Sequence, residues 1–140
     1  MNTFHIELLS PERAFYIGEC VSLVIETSDG KVGIMANRAP MTASLPDGEL
    51  YFTKPDGEKT VCAISRGMVS VDKNVVKVLC ESILLPEEID AETERRKLLD
   101  AQLRNKEAKS HMDYVVTKLA VADAMNKLRV KKHNGDIKFS

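Results

Sequence analysis

Long apolar runs are missing from this chain. Stretches such as Val75-Val76 and Ile83-Leu84-Leu85 fall far short of the ~18 consecutive apolar residues that a membrane-spanning helix needs. Direct membrane insertion is therefore not expected. The opening Met-Asn-Thr-Phe-His-Ile-Glu has no basic start followed by an apolar stretch, so it reads as neither a signal nor a transit peptide. A cytosolic location, or one on the cytosolic side of a membrane complex, follows. Cysteine is sparse: Cys20, Cys62 and Cys80 form no CxxC pair and have no histidine at ligand spacing. That argues against a zinc site and for small buried hydrophobes in a reducing compartment. His5, His111 and His133 are scattered, so no metal site is assigned. The chain has no βαβ rhythm and no glycine-rich phosphate loop. It also lacks a nucleophile–base pairing and a recognisable carboxylate pair. No catalytic residue is assigned, and the chain does not read as an enzyme.

What is present changes character at Pro86. Before it lie short β-branched runs broken by Asp-Gly turns. From Glu87 to Asn134 there is neither proline nor glycine, and Ala, Leu, Glu, Lys and Arg dominate. The 140 residues suit one domain, or a small domain plus an appendage. We read residues 1–87 as a docking body and residues 88–140 as a separable arm. Residues 1–87 hold 8 Lys+Arg against 12 Asp+Glu; residues 88–140 hold 12 against 9. The basic excess gathers late, at Lys118, Lys127, Arg129, Lys131 and Lys132, with Asp123 among them. Lys127, Arg129, Lys131 and Lys132 are therefore candidates for meeting an acidic partner surface. The segment lacks the aromatic interleaving of a single-strand binder, so no nucleic-acid partner is expected.

The first half reads as β structure. Residues 3–9 alternate, with Phe4, Ile6 and Leu8 on one face and His5 and Glu7 on the other. Residues 20–26 repeat the pattern with Val21, Leu23 and Ile25. Further short strands are expected at 31–35, Glu49–Thr53, Thr60–Ser65, Gly67–Val71 and Val75–Cys80. Turn signals separate them, at Thr27-Ser28-Asp29-Gly30, Pro46-Asp47-Gly48, Pro55-Asp56-Gly57 and Asp72-Lys73-Asn74. Many short strands with frequent turns point to an antiparallel sandwich or barrel.

The second half reads as an antiparallel two-helix hairpin. Asp90 is an N-cap candidate for a helix from about Ala91 to Glu107, with Glu92→Arg96 and Asp100→Arg104 at i,i+4 spacing. Its apolar content is thin: Leu98, Leu99, Ala101 and Leu103. Ser110-His111-Met112-Asp113 resembles a capping box for a second helix from about His111 to Lys131. Met112, Val115, Leu119, Ala122, Met125 and Leu128 recur every three or four residues as its apolar side. Asn134-Gly135 is its expected stop, and Gly135–Ser140 a loosely ordered tail. Such a hairpin is marginal alone in water, so it must pack on the β body or on a partner. A difference of ~1–3 kcal/mol then decides between the two.

Several segments, in order, resemble the epsilon subunit of bacterial F-type ATP synthase. Thr3 to Arg13 is similar to that family's opening strand and turn, and Asp29 to Pro40 to its most recognisable segment. Leu45 to Leu50, Ser65 to Val71 and Ala124 to Val130 are similar to its later turn, its glycine-containing strand and the end of its last helix. The resemblance implies an α+β protein: an N-terminal antiparallel β-sandwich of about ten strands, then a C-terminal antiparallel helical hairpin. It also implies a non-catalytic rotor subunit of a proton- or sodium-translocating enzyme, peripheral on the cytoplasmic side of the bacterial cell membrane. The implied partners are the gamma subunit and c-ring for the sandwich and the alpha/beta catalytic head for the helices. The implied role of the hairpin is to inhibit ATP hydrolysis.

Some members of that family bind ATP through an Ile/Leu-Asp-x-x-Arg-Ala motif and arginines on the second helix. Here Ile89-Asp90 match, but Thr93 and Glu94 replace the motif's Arg and Ala. Asp123 and Lys127 stand where the second-helix arginines would be. Planar arginine donors are the best phosphate partners, and Asp123 repels an anion, so ATP binding is expected to be weak and no cofactor is assigned. Arg38 and Arg66 stand where many members carry His and Gly. The alternatives are a nucleotide-sensing module of the same shape and a generic adaptor outside ATP synthase.

Overall fold

Alternation along the first strand dictates one face in and one face out. Phe4, Ile6 and Leu8 of β1 (Phe4–Leu9) are buried, while His5 and Glu7 are only half-buried. Repeated through the first half, this pattern builds ten strands. The structure, a computed structural model, describes residues 2–139, with side-chain surroundings through Asn134. The chain divides into two compact units, the first ending at Leu85 and the second starting at Pro86.

The first unit is a sandwich of two five-stranded sheets. One sheet has the order β2-β1-β9-β8-β5 and the other β10-β7-β6-β3-β4. The further strands are β2 (Ala14–Cys20), β3 (Ser22–Thr27), β4 (Gly30–Met35), β5 (Met41–Leu45) and β6 (Gly48–Thr53). They are followed by β7 (Lys59–Ile64), β8 (Gly67–Asp72), β9 (Val75–Cys80) and β10 (Ile83–Leu84). Pairing is antiparallel with one exception: β1 runs parallel to β9, His5 opposite Val75 through Leu9 opposite Leu79. Three strands lie outside the sequence expectation, β2, β5 and β10. All three are sheet edges; β2 alternates poorly, and β5 and β10, at five and two residues, are too short to carry a pattern.

The core between the sheets holds Phe4, Phe52, Leu23, Ile25, Leu50 and Val78 with almost no exposure. Cys20, Cys62 and Cys80 are buried in it and not joined in a disulfide among the described residues. Asn74, at φ 63° in the β8–β9 turn, ties two neighbours down. Its side-chain amide donates to the Thr3 carbonyl at 2.9 Å, and its Oδ1 accepts from the Asn37 N–H at 2.8 Å.

The second unit starts with a single 3-10 turn at Pro86–Glu88, then α1 (Ala91–Lys106) and α2 (His111–Phe139). Asp90 caps α1, accepting from the Glu92 and Thr93 N–H groups at 3.1 and 3.4 Å. Ser110 Oγ accepts from the Asp113 N–H at 3.1 Å at the start of α2. The Glu92–Arg96 and Asp100–Arg104 pairs form, each at 3.0 Å. Asn134-Gly135 does not stop α2, whose backbone stays helical to Phe139. A glycine inside a helix costs only about 1 kcal/mol and does not force an end. The side chains of 135–139 and all of Ser140, where the loose tail was expected, lie outside the described residues.

Candidate functional site

Strand register turns the outer face of the first sheet into alternating rows. Leu9 stands opposite Ala14 and Leu79, Leu79 opposite Met68, and Met68 opposite Ser44. The adjacent row, Glu7, Lys77, Ser70 and Thr42, is polar. Side chains two residues apart share a face, so one apolar row, Ala14–Leu9–Leu79–Met68, crosses four of the five strands and ends on Ser44 of β5. Met68 and Leu79 are 47% and 51% exposed. They line an open groove of about 980 Å³ together with Pro11, Leu45 and Pro46.

The charged groups at the groove are held by the unit itself. Arg66 pairs with Glu81 at 3.2 Å, and its backbone N–H donates to Asp47 Oδ1 at 2.8 Å. Arg13 donates to the Ile83 carbonyl at 3.1 Å and lies 5.1 Å over the Phe15 ring. What the groove offers a partner is therefore apolar surface with fixed charges beside it. Exposed apolar surface of this kind marks association more than chemistry.

In the hairpin, α1 turns a row of small and polar residues inward. Glu94 and Ala101 are buried, and Ala91, Leu98, Asn105 and Ala108 half-buried, at spacings of three and four. On α2 the less exposed residues include Thr117, Val121, Ala124, Lys127 and Val130. Asn105 joins the helices near the tip, its amide donating to Thr117 Oγ1 at 2.8 Å and to the Tyr114 carbonyl at 2.9 Å. The stripe expected to pack α2 points elsewhere. Met112, Val115, Leu119, Ala122 and Met125 are exposed, and Leu128 is half-buried. On α1, Leu99 and Leu103 are exposed too. Alanines and polar residues, with Leu98, Val121 and Val130 among them, take the less exposed side, and the exposed apolar residues just named stay outward.

The sequence-derived candidates scatter. Ile89 is buried, and Asp90 is fully taken up as the α1 cap. Hydrogen bonds from the Thr93 hydroxyl, at 2.6 Å, and from its backbone hold the Asp90 carboxyl below the usual carboxylate range. The four basic residues do not form one face. Lys127 is buried, 3.1 Å from Asp123 and 4.0 Å from Glu94, rather than on the solvated surface. Lys131 donates to the Pro86 carbonyl at 3.1 Å. Arg129 is exposed and donates to Asn126 Oδ1 at 2.7 Å, and Lys132 is exposed. The apolar row on the sandwich was missed. Its signal was there: Met68 and Leu79 sit at outward positions of their strands, where polar residues belong, and only the register shows that they align.

The family model described as ATP synthase, Delta/Epsilon chain, beta-sandwich domain matches residues 3–86. The ATP synthase epsilon chain of Caldicellulosiruptor bescii is 32% identical over 137 residues, covering 96% of this chain and 97% of that one. The epsilon chain of Caldanaerobacter subterraneus is 29% identical over 128 residues, covering 91% and 93%. Among solved structures, a chain of the Euglena gracilis mitochondrial ATP synthase (OSCP/F1/c-ring) superposes with a TM-score of 0.74 at 20% identity. That match covers 89% of this chain and 78% of the other, and shows the shared fold.

Proposed function

This chain belongs to the epsilon-chain family of ATP synthase, and from that premise we propose that it is a non-catalytic central-stalk subunit. Its sandwich docks on the gamma subunit and the c-ring, and its hairpin restrains ATP hydrolysis by meeting the alpha/beta catalytic head. The enzyme is an F-type, proton- or sodium-driven ATP synthase, with this subunit peripheral on the cytoplasmic side of the membrane. Among the described residues no helix is long and apolar enough to cross a membrane. The solved relatives are drawn from assemblies described as F1/c-ring and central stalk/c-ring, which supports these partners.

The observation that carries the reading is where the apolar surface sits. The sandwich carries the Leu9–Leu79–Met68 row outward. The hairpin keeps Ala101, Ala124, Glu94, Lys127 and Val130 buried and turns Leu99, Leu103, Met112 and Val116 outward. A rigid body with an apolar docking row, and an arm whose larger apolar residues await a partner, suit a regulated rotor subunit. Met68→Lys/Leu79→Glu in the full chain places an opposite-charge cross-strand pair in the row without touching the core. We expect binding to isolated gamma subunit, followed by titration calorimetry, to weaken about 100-fold while thermal stability is retained. Unchanged affinity would move the docking face elsewhere on the sandwich.

Nucleotide binding is proposed to be weak. Lys127 is engaged by two carboxylates and so is not free to donate to a phosphate, and Asp90, a carboxylate that accepts at the α1 cap, offers a phosphate no donor. Titration of the purified chain with ATP should give no measurable heat at micromolar concentrations, and a micromolar dissociation constant overturns this.

A further inference from the structure

Two oppositely charged side chains are buried in the hairpin, one from each helix. Glu94 of α1 retains 7% of its side-chain exposure and Lys127 of α2 retains 11%. Burying charge is costly unless it is paired, so their placement needs a reason. Lys127 Nζ lies 3.1 Å from Asp123 Oδ2, four residues earlier on its own helix, and 4.0 Å from Glu94 Oε1 on the other. Glu94 Oε1 is also 3.5 Å from Lys97 Nζ, while its Oε2 has no hydrogen-bond partner among the described residues.

We propose that Asp123, Lys127 and Glu94 form a releasable ionic clasp, in which one lysine is shared between a partner on its own helix and a partner on the facing helix. In the closed hairpin Lys127 bridges α2 to α1. When the helices part, Lys127 keeps Asp123, because an i,i+4 pair survives within a single helix. Glu94 loses a distant partner and gains water for both oxygens, one of which is unsatisfied when closed. The clasp favours the closed register, yet no charge is stranded on opening. That asymmetry separates it from a buried pair whose breakage leaves both ions uncompensated. It makes opening a modest, reversible step set by the chain's own charges, with no ligand required. Only its consequence for ATP hydrolysis rests on the function proposed above; the clasp itself is a property of the isolated chain.

The test reads helix separation in the full-length protein. Gln102→Cys and Ala120→Cys place labels on exposed positions of α1 and α2, and the three native cysteines are buried. Spin-label distances then give the closed and open populations. Glu94→Lys sets like charges against each other, and Lys127→Glu does the same while also repelling Asp123. Each is expected to raise the open-to-closed ratio about tenfold or more. The exchanged pair, Glu94→Lys with Lys127→Glu, is expected to return most of the closed population. Lys127→Gln, a milder change, should give an intermediate shift with helix content preserved by circular dichroism. The clasp is overturned if Lys127→Gln and both reversals leave the distances unchanged. It is equally overturned if the exchanged pair is as open as the single variants. ATPase measurements play no part, so the rotor reading and the clasp stand or fall separately.

Discussion

Gly67 admits no side chain. A Cβ built there would fall onto the Leu79 carbonyl oxygen and within 2.7 Å of the Cys80 Cα, both backbone atoms of the paired strand. Backbone in a ladder has no rotamer with which to retreat, so Gly67→Ala is expected to cost about 2–3 kcal/mol in denaturant unfolding. A cost below the error of the measurement contradicts the β8–β9 pairing. The thiols make a second case. Burial alone pushes Cys80 up to about 12. At about pH 8 its thiolate fraction is then on the order of one in ten thousand, and it should resist a disulfide reagent until the chain unfolds. Rapid labelling of Cys80 in native protein contradicts its place in the core. The sequence marked all three cysteines as buried because each lies in a β-branched, alternating run. It did not mark Gly67 as crowded, because that depends on which strand comes to lie beside it.

Among the elements, the central strands were legible, and of the four edge strands only β4 was. β1, β6 and β9 carry alternating apolar residues that the core takes up. β2 alternates poorly, β5 alternates but over only five residues, and β10 has only two residues. Helix ends with side-chain caps were legible too, since Asp90 and Ser110 act through local geometry. The packing face of α2 was not. Two faces of α2 recur at helical spacing, and hydrophobicity favours the one that stays exposed. Asn105, Ala101 and Glu94 on α1 decide for the other, and a single helix carries no record of its partner. The Asp90 cap gives a pH test. Its carboxyl is held below the usual range, so its contribution is fully present above the unfolded-state value and is lost as pH falls through the depressed one. Protection of the Glu92 and Thr93 amides, measured as exchange relative to the intrinsic rate at each pH, should therefore fall on acidification in the wild type, and in Asp90→Ala be low at every pH. Identical profiles for the two proteins contradict the cap.

At the scale of the molecule, the composition break at Pro86 coincides with the start of the second compact unit. That break was readable because proline and glycine vanish where helix begins. The two-sheet topology, with its parallel β1–β9 closure, was not readable from spacing alone. The central proposal is a division of labour, in which the sandwich docks and the hairpin restrains. Reconstituted enzyme carrying either the full chain or a chain ending at Glu87 tests it most directly, with gamma binding and ATP hydrolysis measured on the same preparations. The account predicts that the short form binds gamma as tightly as the full chain and that hydrolysis rises several-fold. Loss of gamma binding in the short form, or unchanged hydrolysis with binding intact, contradicts it.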